Sequence, residues 1–85
     1  MNFRFSKHSR EQMEARKISE EIILNALNNP DQIIKEEYAI VYQKIAHENA
    51  GKFLIRIFVN ENVVPGLIIT VYKTSKISKY YEGKI

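Results

Sequence analysis

The sequence predicts an α+β fold: a short N-terminal strand, two helices packed on an antiparallel β-meander, and a short C-terminal helical turn, in one domain over residues 1–85. Three observations lead there. Helical apolar spacing with serine caps occupies the chain up to residue 28; "NNPD" at 28–31 stops it; beyond Pro30, apolar residues alternate with period 2 between turn-forming stretches. Eighty-five residues leave room for one core and a shallow site, because a chain this short buries only about 60 to 65% of its unfolded surface.

Taken in order, "NFRF" at 2–5 sets Phe3 and Phe5 on one side and Arg4 on the other, a short strand. Ser6 caps a helix over 7–17, where the spacing puts His8, Gln12 and Arg16 in one stripe. Ser19 caps a second helix; Glu20 and Glu21 suit its positive end, and Ile22, Ile23, Ala26 and Leu27 give it a packing face. Strands follow in "QIIKE", "AIVYQKIAH", "KFLIRIFVN" and "LIITVYK" (67–73), separated by the turns "ENAG" and "ENVVPG", with Pro65 and Gly66 at the last strand's mouth. Phe53, Ile55, Ile57 and Val59 share one face. "SKISKYYE" adds the closing helical turn, and helices on one sheet face leave the other face open.

Charge is unevenly spread over a net of +3. Residues 1–17 hold Arg4, Lys7, Arg10, Arg16 and Lys17 against Glu11 and Glu14; residues 71–85 hold Lys73, Lys76, Lys79 and Lys84 against Glu82; the stretch between is net acidic. If the fold brings the helix at 7–17 beside the last strand, the ends form one positive patch that attracts phosphates or an acidic partner. Otherwise these lysines and arginines serve solubility.

The composition excludes several classes of chemistry. With no cysteine there is neither a disulfide framework nor a thiolate metal site, which suits a reducing compartment. The start lacks a signal-peptide pattern and "GLIITVY" is far too short to span a bilayer, so the expected place is the cytoplasm, with no membrane partner. His8 and His47 are the only histidines and Asp31 the only aspartate, in no metal-ligand spacing, and Gly51, Gly66 and Gly83 form no nucleotide-binding motif. No metal and no small-molecule cofactor is expected.

The kit that remains, Arg, Lys, His and Tyr, suits RNA cleavage by the substrate's own 2′-hydroxyl, which needs a base, an acid and cations for the phosphate. His8 can act as acid or base. Arg10, Arg16, Arg56 and Lys73 can hold phosphate oxygens, and Tyr72, Tyr80 or Tyr81 can stack on an unpaired base. Each has a plainer reading: His8 packs or bonds near its helix start, Arg16 pairs with Glu20 or caps carbonyls, and Tyr72 belongs to the sheet surface.

The stretch "FSKHSREQMEARKIS", the apolar helix and "NNP" after it, and the ending "ITVYKTSKISKYY" resemble a small bacterial and archaeal domain family of unknown function, itself similar to RelE-, ParE- and BrnT-type toxins. The resemblance spans nearly the whole chain and implies two helices against an antiparallel sheet. It further implies ribonuclease action, often on messenger RNA at the ribosome, under control of a bound antitoxin; ParE-like relatives act on gyrase instead. Residue by residue it carries His8, Arg16, Tyr72, Lys73, Thr74 and Lys76. The expectation is therefore the toxin of a type II toxin–antitoxin pair, a metal-independent endoribonuclease with RNA and an antitoxin protein as partners. His8, Arg16 and Lys73 are its candidate catalytic residues. Arg10, Arg56, Lys44, Tyr72, Lys76 and Tyr80 are its candidate RNA contacts, Arg56 and Lys44 being added from their strand positions. The alternative is a non-catalytic protein- or nucleic-acid-binding module of the same fold.

Overall fold

Two serine hydroxyls set where the helices begin. In the computed structural model, which describes residues 2–49 and 51–83, the Ser6 side chain accepts the Ser9 N–H at 3.0 Å and opens α1 (Lys7–Arg16). Ser19 accepts the Ile22 N–H at 3.2 Å and opens α2 (Glu20–Asn28). Each satisfies a donor that the first turn cannot pair internally. α1 stops one residue short of the expected 17: Lys17 turns left-handed at φ 55°, and the Ile18 N–H closes on the Met13 carbonyl at 2.9 Å. That reversal delivers Ile18, 4% exposed, into the core.

The strands are β1 (Phe3–Phe5), β2 (Gln32–Lys35), β3 (Ile40–Glu48), β4 (Gly51–Asn60) and β5 (Gly66–Thr74), followed by the single turn α3 (Ile77–Tyr80). The fold is α+β, with the sheet in the order β1-β5-β4-β3-β2. β2 to β5 form the expected antiparallel meander. β1 departs from it by pairing parallel to β5, Phe3 opposite Gly66 and Phe5 opposite Ile68, so the sheet is mixed. The helices supply the crossover that a parallel neighbour requires. Gly66 makes the approach possible, since a Cβ there would lie 3.2 Å from Val59 and 3.3 Å from the Phe3 ring. Ala50 of the "ENAG" turn and Lys84 of the second basic end lie outside the described residues, as do Met1 and Ile85.

Met13, Ile18, Ile23, Ala26 and Leu27 pack against Tyr42, Ile55, Ile57, Val59, Ile68 and Val71 to form the core. A β-bulge between Phe58 and Val59 shifts the register, so that Ile68 opposite Val59 and Val71 opposite Ile57 both face the helices despite their odd spacing. Past the end of β1, the exposed edge of β5 is closed by α1. Gln12 Oε1 accepts the Val71 N–H at 2.9 Å, and Arg16 Nη1 donates to the Val71 carbonyl at 2.7 Å. The second sheet face is not left open as expected. Residues 75–83 lie across it, and Val41, Leu54 and Ile77 are buried there. No helix among the described residues is long and apolar enough to cross a membrane.

Candidate functional site

Strand alternation sends Ile55, Ile57 and Val59 toward the helices and therefore turns Arg56 to the other face. Register does the rest: Gln32 lies opposite Gln43, Gln43 opposite Arg56, and Arg56 opposite Tyr72, a polar row across β2, β3, β4 and β5. An arginine has only donors, so Gln43 must present its carbonyl, and its Oε1 accepts from Arg56 Nε. The Gln43 amide then donates to Gln32 Oε1 at 3.0 Å and to the Tyr80 carbonyl at 3.3 Å. Arg56 Nη1 donates to the Tyr72 hydroxyl. Gln43 is fully buried and Arg56 only 6% exposed, a placement that costs several kcal/mol unless the charge is well bonded.

Aromatic rings surround the guanidinium. Its carbon stands 4.5 Å from the Tyr80 ring centre, 5.1 Å from Phe58 and 5.6 Å from Tyr72, while Phe58 and Tyr72 stack on each other at 6.1 Å. Nη2 is the end left over. It makes no hydrogen bond among the described residues, and Glu36 Oε1, on a half-exposed side chain, stands 3.9 Å away. Glu36 also lines a cleft of about 420 Å³ with Lys35, Tyr38, Ile40, Asn60 and Glu61. The site thus offers a fixed cation, a carboxylate, a phenol and stacking surfaces within one patch.

The other expected residues lie elsewhere. His8 is exposed on the first turn of α1 and makes no side-chain hydrogen bond among the described residues. It stands two helical turns, about 12 Å, from Arg16. Arg10 lies 4.2 Å over the Phe5 ring and 3.4 Å from Glu20. α1 runs along β5, the placement that a joint positive patch requires, yet Arg16 is engaged with the Val71 carbonyl and Lys73 with Glu48 at 2.9 Å. Lys44 faces Asp31 at 3.7 Å on the helix side of the sheet, and Lys76 is exposed after β5. Of the nine candidates the structure unites Arg56, Tyr72 and Tyr80, and it separates them from His8, Arg16 and Lys73 by the thickness of the sheet.

Sequence reasoning missed Gln43, Gln32, Glu36 and Phe58. Cross-strand register was the only signal for the glutamines, since neither is unusual in its own strand. On the helix side, the Tyr42 hydroxyl donates to Glu61, and burial, followed by that carboxylate, raises its pKa to about 12. Among the described residues no three His, Asp or Glu side chains are grouped to hold a metal ion.

Residues 5–73 match the family described as "Domain of unknown function (DUF4258)", and the chain belongs to that family. No curated protein and no solved structure matches it, and none of these comparisons connects it to RelE-, ParE- or BrnT-type toxins.

Proposed function

We propose that this member of the DUF4258 family is a metal-independent endoribonuclease, the toxin of a type II toxin–antitoxin pair, and that RNA is cleaved over the Arg56 row. One observation carries the placement: Arg56 is held by Gln43 and Tyr72 through Nε and Nη1, with Nη2 left toward Glu36. A guanidinium fixed in this way can meet the charge that grows on the phosphate without reorganising. The toxin–antitoxin assignment rests on the resemblance of "FSKHSREQMEARKIS" and "ITVYKTSKISKYY" alone.

In this reading the Glu36 carboxylate removes the proton from the 2′-hydroxyl, and the 2′-oxygen attacks phosphorus to form a 2′,3′-cyclic phosphate. As the P–O5′ bond breaks, the Tyr72 hydroxyl protonates the departing 5′-oxygen, and solvent returns both side chains to their starting states. The Tyr72 oxygen accepts from Arg56, so its own hydrogen is directed elsewhere and is available for that transfer. Phe58 and Tyr72 offer ring faces to an unpaired base.

The competing placement on His8, Arg16 and Lys73 gives the opposite mutational pattern. Arg56→Lys is expected to lower cleavage of a single-stranded RNA about 10² to 10³-fold. Tyr72→Phe is expected to lower it about 10² to 10⁴-fold, while His8→Gln, Arg16→Ala and Lys73→Ala stay near the parent. The reverse result moves the chemistry to α1. A second reading, the non-catalytic module, is favoured by the closed state of the row, in which every Gln43 polar atom already has a partner. RNA binding without cleavage by the parent, with a log–log salt slope of about −3 for four phosphate contacts on a single strand, selects it.

A further inference from the structure

The segment after β5 treats the polar row as a seat. Leaving Thr74, residues 75–83 run back across the sheet from β5 to β2. Ile77 is buried, and the Tyr80 ring lies over Arg56 and edge-on to Tyr72 at 6.2 Å. The Tyr80 carbonyl accepts from Gln43. At the far end Gln32 grips the backbone of residue 82 twice: its amide donates to the Glu82 carbonyl, and its Oε1 accepts the Glu82 N–H at 3.0 Å. Beyond these bonds the segment holds itself by one helical turn, closed by the Tyr81 N–H on the Ile77 carbonyl at 2.8 Å.

The manner of attachment sets it apart from α1 and α2. Those helices bring Met13, Ile23, Ala26 and Leu27 into the core, whereas Ile77 is the one buried residue among 75–83. A segment held by few apolar contacts and partly exposed hydrogen bonds belongs to the low-energy end of local opening. Its removal would uncover the Arg56 guanidinium beside the stacked Phe58 and Tyr72 rings. Tyr80 meanwhile fills the ring position over Arg56 that a stacked base would take.

We infer that residues 75–83 are an autoinhibitory strap: with Tyr80 seated on Arg56 they occlude the site, and single-stranded RNA binds only the state in which the strap has lifted. This rests on the RNA reading of the Arg56 row. The strap and the nucleic acid compete for one surface, so apparent affinity falls in proportion to the lifted fraction. Two variants loosen the strap by separate means. Gln32→Ala removes both bonds to residue 82 and, with them, the Oε1 acceptor of the Gln43 amide, so the second variant is the one that leaves the row whole. Lys79→Pro removes the Lys79 N–H bond to the Lys76 carbonyl and pushes Ser78 out of helical geometry without touching the row.

The experiment reads amide hydrogen exchange at Tyr81 and Glu82, and in parallel the fluorescence anisotropy of a labelled oligouridylate, for the parent and both variants. Faster exchange at those amides, unchanged exchange at Ile57, and oligouridylate binding at least about tenfold tighter are expected, as for a lifted fraction of roughly a tenth or less in the parent. Faster exchange with equal or weaker binding overturns the strap and leaves the RNA reading standing. Unchanged exchange in both variants overturns the strap's mode of attachment and the proposal with it. Absence of oligouridylate binding from all three proteins, with the strap seen to loosen, overturns the RNA reading itself.

Discussion

One sheet carries two faces built by different rules. Toward α1 and α2 the face is apolar: Tyr42, Ile55, Ile57, Val59, Ile68 and Val71 meet Met13, Ile23 and Leu27, and the cations Lys44 and Lys73 sit at its margin against Asp31 and Glu48. The opposite face buries a glutamine and an arginine at its centre, under a one-turn helix. Apolar burial is non-directional and contributes wherever it occurs, whereas a buried polar row contributes only when every partner is in place. In a chain of 85 residues the first face can carry the fold. The second, being the more demanding way to fill space, is where a role other than packing is to be sought.

The largest expected effect breaks this comparison at neighbouring positions. Ile57 is fully buried, and Ile57→Ala removes side-chain volume from the middle of the core, for an expected loss of about 2 to 5 kcal/mol in denaturant unfolding. Arg56→Met replaces the charge by an apolar side chain but strips Gln43 and Tyr72 of a donor, for about 1 to 3 kcal/mol. Should Arg56→Met cost more than Ile57→Ala, the row is a structural element and its claim to chemistry falls.

The next effect lies in the pH dependence of the apolar face, through Tyr42 and Glu61. Tyr42 has its pKa raised from 10.0 to about 12, first by burial and then by the Glu61 carboxylate. The folded state therefore holds the phenolic proton more tightly than the unfolded chain. The contribution is complete below pH 10 and is lost as pH rises from 10 toward 12, to a total of up to about 3 kcal/mol. Subtracting the unfolding free energy of Tyr42→Phe from that of the parent isolates this group from the other tyrosines and the lysines. A difference that stays level across that window would remove Tyr42 as a titrating element of the core.

The two faces also differ in how readily the sequence discloses them. Both helices, their caps at Ser6 and Ser19, the stop at "NNPD" and the apolar set Phe53, Ile55, Ile57 and Val59 are written in local spacing, because caps and periodicity act within a few residues. The row is not local. Gln32 and Gln43 meet Arg56 and Tyr72 only after three strand pairings set the register, and a shift by one residue would turn them to the other face. The parallel pairing of β1 with β5 was hidden for the same reason, since it depends on where the helical crossover returns the chain. Arg16 taught the opposite lesson. Its place in one stripe with His8 and Gln12 suggested phosphate, yet the fold gives its guanidinium a backbone carbonyl at the edge of β5 that α1 closes.

The smallest expected effect sharpens the contrast by setting an exposed arginine against the buried one. Arg10 shares its partner types with Arg56, a carboxylate and a ring, but lies in solvent: it stands 3.4 Å from Glu20 with both side chains about half exposed, and 4.2 Å over Phe5. Water screens the ion pair, so a double-mutant cycle of Arg10→Ala with Glu20→Ala is expected to return about 0.2 to 1 kcal/mol and to shrink toward zero in about 1 M salt, where the screening length is about 3 Å. A second cycle, Arg10→Ala with Phe5→Leu, is expected to return about 0.5 to 1 kcal/mol. This term should persist better in salt, because the ring carries no net charge and its quadrupole attracts the guanidinium only at contact, where no counter-ion intervenes. The same pair of cycles at Arg56, with Glu36→Gln and with Tyr72→Phe, should keep this order and widen it: the 3.9 Å carboxylate should couple weakly and the hydroxyl strongly. Were Arg56 to behave like Arg10, with coupling that salt erases, its guanidinium would be solvated in practice, and the distinction between the two faces would rest on apolar area alone.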